Sequence, residues 1–278
     1  MSVLVTGGTG TTGARVARKL AERGRPHRVA SRRPVGDRVA FDWYDPSTHA
    51  GALSGTTALY LVAPVGEPDP EPFMAPFLER AAEAGVRRAV LLSGSPITPG
   101  TPGLGRVHTR LGEVFGEWAV LRPTWFADNF TGDHLQARLA REQGEIVSAT
   151  GTGRVPFVAA EDIAEVAVAA LTDTVPHNTD HIVTGPEPVG YDAVAEMLGE
   201  VLGRPVRHRS LTEDALAGRW TAEGMPPEFA RLLAGLDTAI AAGAEDRTTS
   251  TVQDTTGRPP RTLEEALAEG VRPLRSPE

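Results

Sequence analysis

Cysteine is absent from this chain of 278 residues. Its absence excludes disulfide bonds, thiolate nucleophiles and cysteine-ligated metal sites. Histidine is also sparse, and the one closely spaced pair, His177 and His181, follows Pro176 and leads into a strand pattern. We therefore expect no helical pair of metal ligands and no metal site there.

Lysine is almost as rare as cysteine. Lys19 is the only lysine, so nearly all of the 28 basic residues are arginine. Lys19 falls inside the first predicted helix, on the side away from the predicted cofactor. Mechanisms that need a catalytic lysine are therefore effectively excluded.

Long apolar runs are missing too. None approaches the roughly 20 residues that a membrane-spanning helix needs, and residues 1–6 lack the basic segment of a signal peptide. The net charge of −8 argues against nucleic acid or an anionic membrane surface as the main partner. We expect a soluble cytoplasmic protein with no nucleic-acid and no membrane partner, either a monomer or a homodimer.

What the chain does contain is a glycine-rich turn. Residues 3–13 read Val-Leu-Val-Thr-Gly-Gly-Thr-Gly-Thr-Thr-Gly. Gly8, Gly10 and Gly13 match G-x-G-x-x-G, and Gly7, Gly10 and Gly13 match G-x-x-G-x-x-G. Such a turn between a strand and a helix accepts a pyrophosphate, because bare N–H groups and the helix dipole favour the anion where a Cβ would block it. We predict a dinucleotide site formed by Gly7, Thr9, Gly10, Thr11, Thr12 and Gly13.

The end of the second strand pattern indicates which dinucleotide binds. A protein that binds NAD usually places Asp or Glu there for the ribose 2′-hydroxyl, whereas this chain has Ser31, Arg32 and Arg33. Guanidinium groups pair with a 2′-phosphate through charge-assisted hydrogen bonds. The residues favour NADP(H), with solvated surface arginines as the alternative.

Strand and helix patterns alternate through the first half of the chain, which is typical of a parallel sheet with helices on both faces. We predict an α/β fold, a Rossmann-type doubly wound parallel sheet with a smaller, mostly helical C-terminal substrate lobe. Residues 1–150 are assigned to the NADP(H)-binding domain. Residues 151–278 are assigned to the lobe, interleaved with the sheet edge in a single structural unit.

The carboxyl ends of successive parallel strands line the ligand crevice in such folds. Residues at or after these ends are therefore predicted to line the cofactor site: Ser31, Asp42, Ala63, Pro64, Ser93, Pro123 and Thr124.

Four segments carry a resemblance to a known family. Residues 6–13, 121–130, 155–164 and 184–187 resemble the atypical short-chain dehydrogenase/reductases of the NmrA-like family. Within that family the chain is most similar to the agroclavine dehydrogenase type and its bacterial relatives, which include quinone and dye reductases. The resemblance covers most of the chain and implies a reductase, although the same branch contains redox-sensing regulators without catalysis.

The Tyr-based branch of this superfamily uses a Tyr-x-x-x-Lys acid, which is missing here. None of the three tyrosines, Tyr44, Tyr60 and Tyr191, has a lysine four residues later. Ser93 occupies the place of that branch's catalytic serine; without the Tyr–Lys partner, it is equally suited to contact the nicotinamide or to close its strand.

His108 is the predicted catalytic residue, because its position matches a histidine of the agroclavine-type enzymes. The alternative is a histidine that only packs its helix. Trp125, Phe126 and Asn129 follow the sixth strand and are predicted to contact the substrate, with Trp125 and Asn129 on one face of a helix. Core packing is the alternative for Phe126 and for Phe130.

The missing acid constrains the chemistry. A ketone that accepts hydride becomes an alkoxide and needs a proton donor, whereas an iminium ion is neutralised by hydride and needs none. We expect an NADPH-dependent reductase of a flat, conjugated small-molecule substrate. The favoured substrate class is a cyclic imine or iminium ion of secondary metabolism. A quinone reductase and a non-catalytic NADP(H)-sensing regulator are the alternatives.

Overall fold

The computed structural model describes residues 2–271. Eleven strands are present in this part of the chain: β1 Val3–Val5, β2 His27–Ser31, β3 Val39–Ala40, β4 Ala58–Val62, β5 Arg88–Leu92, β6 Glu117–Pro123, β7 Glu145–Ser148, β8 Arg154–Val155, β9 Thr179–Val183, β10 Val189–Gly190 and β11 Arg207–Ser210.

The helices of the same residues are α1 Thr11–Glu22, α2 His49–Leu53, α3 Glu71–Glu83, α4 Leu104–Val114, α5 Leu135–Gln143, α6 Ala160–Thr172, α7 Tyr191–Leu202, α8 Glu213–Ala222, α9 Pro227–Ala241, α10 Thr251–Thr256 and α11 Leu263–Val271. Short 3₁₀ helices cover Pro46–Thr48 and Ala127–Phe130. None of the described helices combines the length and the apolar character needed to cross a bilayer.

Seven strands form one parallel sheet in the order β3-β2-β1-β4-β5-β6-β9. The order of the first six is that of a doubly wound dinucleotide-binding sheet. Helices α2, α3 and α4 contribute to the apolar core on one face of the sheet, and α1 packs with α6. The predicted Rossmann-type fold is confirmed.

The chain forms two compact units. Among the described residues, the first contains 2–123, 160–183 and 251–258, and the second contains 124–159, 184–250 and 259–271. The prediction placed a boundary at residue 150 and interleaved the lobe with the sheet edge; the two compact units instead exchange three segments of the chain. The reason is that β9 pairs with β6 as the seventh strand of the sheet and α6 packs on α1, so residues 160–183 return to the first unit.

The second unit is mostly helical, as predicted, with α5, α7, α8, α9 and α11 as its main elements. It contains two small sheets, an antiparallel pair of β8 and β10 and a parallel pair of β7 and β11. Its largest core packs Phe130, Phe157 and Tyr191 edge to face, with ring centroids 5.3 to 5.9 Å apart.

Candidate active site

The turn between β1 and α1 requires glycine at three positions for three different reasons. Gly7 has a left-handed backbone with φ +60° and lies against Val62. A Cβ on Gly8 would lie 2.5 Å from Val29, and a Cβ on Gly13 would lie 2.3 Å from the carbonyl oxygen of Gly7. These glycines let the helix start close against the strand, as the fingerprint requires.

Gly10 is different, because its surroundings are less crowded. It is exposed, and an added Cβ would meet only the carbonyl oxygen of Gly7, at 3.3 Å. Gly10 is also the N-cap of α1, and no side chain caps the helix there. The first N–H groups of α1 therefore lack a side-chain acceptor, which fits the pyrophosphate of a dinucleotide. Thr9 and Thr11 are exposed beside Gly10, whereas Thr12 is buried against the core.

The end of β2 presents two arginines to solvent. The Ser31 hydroxyl accepts a hydrogen bond from the Arg33 N–H at 3.2 Å and donates one to the Arg33 carbonyl at 3.0 Å, which shapes a tight turn. Arg32 and Arg33 are exposed, and neither forms an ion pair with a described residue. In contrast, Arg28 on the same strand donates to the Ala52 carbonyl at 2.7 Å. The two exposed guanidinium groups fit a 2′-phosphate.

The neighbouring strand ends contain the next predicted residues. The Asp42 carboxylate accepts a hydrogen bond from the Tyr44 N–H at 3.0 Å. Ala63 and Pro64 follow β4 directly and are half-buried. The Thr6 hydroxyl donates to the Tyr60 carbonyl at 3.1 Å and accepts from the Val62 N–H at 2.8 Å, which ties the end of β1 to that of β4.

The segment after β5 continues along β6 beyond the strand. The Ser93 N–H donates to the Leu121 carbonyl at 2.7 Å, and the Ser95 N–H donates to the Pro123 carbonyl at 2.9 Å. This pairing holds Ser93 in an extended position at the carboxyl end of the sheet. The Ser93 hydroxyl oxygen is buried and has no hydrogen-bond partner among the described residues.

His108 lies on the inward face of α4 and is only 4% exposed. Its ring packs near the Trp118 ring, with centroids 6.0 Å apart, as the packing alternative expects. Packing does not account for its Nδ1, which is enclosed and lacks a hydrogen-bond partner in the described part of the chain. Burial lowers the pKa of His108, the Arg122 charge lowers it further, and Asp180 opposes both. The ring is therefore neutral at neutral pH.

The residues predicted to contact the substrate belong to the second unit. Thr124, which is predicted to line the cofactor site, also belongs to this unit; it is buried, and its hydroxyl donates to the Pro156 carbonyl at 2.6 Å. Trp125, Phe126 and Asn129 are half-buried. The predicted helix joining Trp125 and Asn129 is wrong, because the helical turn begins only at Ala127. Backbone hydrogen bonds to Val158 on either side of Phe126 hold residues 125 and 126 extended instead.

No tyrosine of the described chain is placed to act as a Tyr–Lys acid. The Lys19 ammonium pairs with Glu161 and Glu165, at 2.5 and 2.6 Å. Burial raises the pKa of Tyr60 and of Tyr191, and partial desolvation followed by the Glu67 charge raises that of Tyr44. A phenol that acts as a catalytic acid needs a lowered pKa. The structure therefore agrees with the sequence that the Tyr–Lys acid is absent.

Sequence reasoning missed one ion pair near His108, between a buried arginine and a half-buried aspartate. Arg122 on β6 donates to the Asp180 carboxylate on β9 at 2.6 Å. Because Asp180 lies 58 residues further along the chain, only the β6–β9 register brings the two together. The alternation of β6 side chains was the one available signal, since Arg122 falls on a position that faces the core.

The His177 and His181 pair is a hydrogen-bonded chain. The His177 Nδ1 and the His181 Nε2 lie 2.8 Å apart, and the His177 Nε2 lies 3.2 Å from the Asp173 carboxylate. Within residues 2–271, no group of three or more metal-ligating side chains is arranged to hold an ion.

Comparison with known proteins places the chain in a family, although no protein-family profile matches it. The uncharacterized oxidoreductase YesF of Bacillus subtilis is 43% identical over 271 residues, which cover 96% of this chain and 94% of that protein. Agroclavine dehydrogenase of Claviceps fusiformis is 40% identical over 272 residues and 94% of each chain. The chain belongs to the atypical short-chain dehydrogenase/reductases. It is an oxidoreductase of the NmrA-like branch that contains the agroclavine dehydrogenases.

The fold agrees with this family. The crystal structure of the Escherichia coli NADPH-dependent quinone oxidoreductase QOR2, in complex with NADPH, aligns with a TM-score of 0.81 at 23% identity. The alignment covers 97% of this chain and 99% of that one. This likeness shows a common fold.

Proposed function

We propose that this oxidoreductase uses NADPH to reduce a flat, conjugated small molecule, with a cyclic imine or iminium ion as its preferred acceptor. The observation that carries the proposal is the absence of a proton-donating Tyr–Lys pair. All three phenols have raised pKa values, and the single lysine is engaged by two glutamates.

The cofactor assignment rests on the two ends of the predicted dinucleotide site. The bare N-terminus of α1 at Gly10 and the exposed arginines Arg32 and Arg33 suit a pyrophosphate and a 2′-phosphate. NADPH, when bound, supplies the hydride. The residues that would line its site are Gly7, Thr9, Gly10, Thr11, Thr12, Gly13, Ser31, Arg32, Arg33, Asp42, Ala63, Pro64, Ser93, Pro123 and Thr124.

The acceptor class follows from proton balance. When hydride adds to the carbon of C=N⁺, a C–H bond forms, the π electrons return to nitrogen and the positive charge is lost. No proton transfer is required in that step. A ketone would gain a negative oxygen instead, and a positioned acid would then be worth about 10² to 10⁴ in rate. The protein's contribution is therefore orientation and exclusion of water.

His108 is the side chain we propose to act at the substrate, as a neutral group. A neutral imidazole does not repel a cationic acceptor, whereas an imidazolium would. The half-buried Trp125, Phe126 and Asn129 are proposed to contact the flat face and edge of the substrate. Trp125 offers an indole ring, and indole rings attract cations.

The test is NADPH oxidation by the purified protein with cyclic iminium ions, quinones and ketones, and with NADH in a parallel series. We expect the fastest turnover with iminium acceptors and NADPH. Fast ketone reduction would contradict the acid-free mechanism. Fast turnover of quinones alone would favour a quinone reductase, which the delocalised, weakly basic hydroquinone anion makes compatible with the same site.

A non-catalytic regulator is the outcome that would overturn the proposal. It would bind NADPH tightly, as measured by calorimetry, and would oxidise it with none of the acceptors.

A further inference from the structure

Three polar side chains on neighbouring strands share one face of the sheet, namely Ser93, Arg122 and Asp180. On β5, Ala89 and Leu91 belong to the core beneath α3 and α4, and Ser93 continues this alternation. On β6, Val120 belongs to the same core, so Arg122 two residues later faces the same way. Asp180 lies opposite Val120 in the β6–β9 register. His108 reaches this face from α4.

Unpaired polar atoms are concentrated in this cluster. The Ser93 Oγ, the His108 Nδ1 and the Arg122 Nε are buried, and each lacks a hydrogen-bond partner among the described residues. A buried polar group without a partner costs about 1–3 kcal/mol. Three such groups on one face of the sheet distinguish this face from the apolar core around it, because unsatisfied buried polar groups are rare in native structures and call for a specific explanation.

Arg122 ties the cluster together. It is 8% exposed, and its two terminal nitrogens point to different partners: Nη1 donates to the Asp180 carboxylate at 2.6 Å, and Nη2 donates to the Ser95 carbonyl at 2.7 Å. The rigid guanidinium thereby fixes the segment that contains Ser93 with respect to β6 and β9.

We propose that the Arg122–Asp180 pair is the positioning element of the hydride-transfer site: Arg122 holds the Ser93–Ser95 segment in its working position, and the two charges act on His108. This inference rests on the proposed function in one respect, namely that Ser93 and His108 meet the cofactor and the acceptor. Arg122 and Asp180 act through these residues.

The charges around His108 come from few sources. Arg122 faces it from β6 and Asp180 faces it from β9, and their charges act on the His108 pKa in opposite directions. On α3, Glu79 and Glu71 pair with Arg110 and Arg106 of α4, at 2.6 and 3.2 Å, on the exposed side of that helix. The Trp118 ring is uncharged. The Arg122–Asp180 pair is therefore the main electrostatic control of His108.

The positions of the two charges predict a result that differs from the effect of losing any ion pair. Asp180→Asn removes the charge that raises the pKa of His108, so that pKa falls. Arg122→Gln removes the charge that lowers it, so that pKa rises. Both variants break the same ion pair, yet the two shifts have opposite signs. We expect each to be about half a pH unit or more.

The experiment measures two quantities in the full-length protein. The first is the His108 pKa by NMR of isotope-labelled histidine, with His108→Gln to assign the signal. The second is the pH dependence of NADPH oxidation with a cyclic iminium acceptor, which falls at low pH as His108 becomes cationic. In Asp180→Asn this fall moves to lower pH, and in Arg122→Gln it moves to higher pH.

The matched control is the ion pair of Arg88 and Glu117, at 2.7 Å, which joins β5 to β6 at the opposite end of the same strands. Glu117→Gln should leave the His108 pKa and the pH profile in place. Shifts of the same sign in both test variants, no shift in either, or an equal shift in the control would overturn the proposal.

Arg122→Lys serves if Arg122→Gln does not fold. It keeps the charge but loses the two-pronged geometry, so we expect an unchanged His108 pKa and a kcat at least about tenfold lower, through the Ser95 anchor. A kcat equal to wild type would overturn the positioning role. If no acceptor is turned over, the proposed function fails, whereas the NMR shifts still decide the role of the ion pair.

Discussion

Gly10 and Gly13 occupy the same turn but are constrained by different neighbours. At Gly13 an added Cβ would lie 2.3 Å from the backbone oxygen of Gly7, which cannot move without shifting the turn. At Gly10 an added Cβ would meet only that oxygen, at 3.3 Å, which is a much smaller overlap, and the proposed ligand is the other group that it would meet. Glycine is thus required by the fold at one position and by binding at the other.

Substituting these glycines separates the two requirements. Gly10→Ala should lower the melting temperature of the free protein much less than Gly13→Ala, and should raise the Kd for NADPH at least about tenfold, a loss of about 1.4 kcal/mol. Gly13→Ala should lower the melting temperature itself. Gly51→Ala in α2, where a Cβ meets no atom within 4 Å, is the control: it should leave the Kd for NADPH unchanged and should not lower the melting temperature, because alanine is favoured over glycine inside a helix. Unchanged NADPH affinity in Gly10→Ala would contradict the assigned pyrophosphate position.

The arginines after β2 predict a preference between cofactors. Arg32→Ala and Arg33→Ala should each weaken NADPH binding about tenfold or more, because a charge-assisted contact to the 2′-phosphate is lost. NADH, which lacks that phosphate, should bind with unchanged Kd. Calorimetric titration with both nucleotides measures this, and Arg38→Ala, an exposed arginine further along the loop, is the control. Equal losses for both nucleotides would assign the two arginines to general electrostatics.

The interface of α1 and α6 accounts for the lone lysine. The Lys19 side chain is only 6% exposed and contacts the carboxylates of Glu161 and Glu165, while Arg18 and Arg23 pair with the same two residues from the rim of the interface. Burial alone would raise the pKa of Glu161, but hydrogen bonds from Lys19 and Arg18 lower it below its usual value. Lys19 is therefore a structural residue that joins two helices of the first unit.

Lys19→Met should reduce the free energy of unfolding by about 2 kcal/mol at pH 7, because it leaves two half-buried carboxylates short of a partner. A carboxyl with a depressed folded-state pKa stabilises above its unfolded value of about 4.3, and this stabilisation is lost as the pH falls through the folded pKa. The difference from wild type should therefore shrink at pH 4. Urea unfolding at both pH values tests it, with Glu22→Gln as the exposed control; an equal difference at both would contradict the charge-based account.

The segment after β6 shows how an element can override a sequence pattern. Trp125 and Asn129 have helical spacing, but the Val158 N–H donates to the Trp125 carbonyl and the Ala127 N–H donates to the Val158 carbonyl, both near 3.0 Å. These hydrogen bonds extend the chain up to the 3₁₀ turn at Ala127. A residue spacing of four has no meaning for side-chain direction when the backbone between is not helical.

The stability of the whole molecule depends on pH through acids whose pKa values are shifted in opposite directions by folding. Glu161 in the first unit stabilises when ionised, whereas Asp237 in the second unit does not. Burial raises the pKa of Asp237 to about 6, against a hydrogen bond from the Ala149 N–H at 2.9 Å. Ionised Asp237 therefore destabilises the folded protein, progressively as the pH rises from about 4 to about 6.

Asp237→Asn should remove this penalty while keeping an oxygen for the Ala149 N–H. We expect the variant to unfold at higher temperature than wild type at pH 7, by a free energy of up to about 3 kcal/mol, and to match wild type at pH 4. Thermal unfolding across this pH range tests the expectation. Asp246→Asn, in an exposed pair with Arg154, should show little effect at either pH. A variant no more stable than wild type at pH 7 would refute the raised pKa.

The sequence by itself determined the sheet and the turn. Apolar strands such as Ala58–Val62 and helices such as Tyr191–Leu202 have strong periodicity and clear glycine or proline boundaries, so local interactions specify them. The glycine spacing of residues 7–13 reflects a local steric requirement as well. By contrast, β11 has the sequence Arg-His-Arg-Ser and no apolar alternation, and it is a strand only because β7 pairs with it.

Tertiary structure alone decided the division of the chain and the polar cluster around His108. Residues 160–183 join the first unit because β9 completes the sheet beside β6. The same register brings Asp180 to Arg122, and the helix α4 brings His108 to both. Contacts between residues so distant in the chain depend on strand order and register. No local pattern encodes these, so the sequence identified the individual side chains and the fold determined which of them meet.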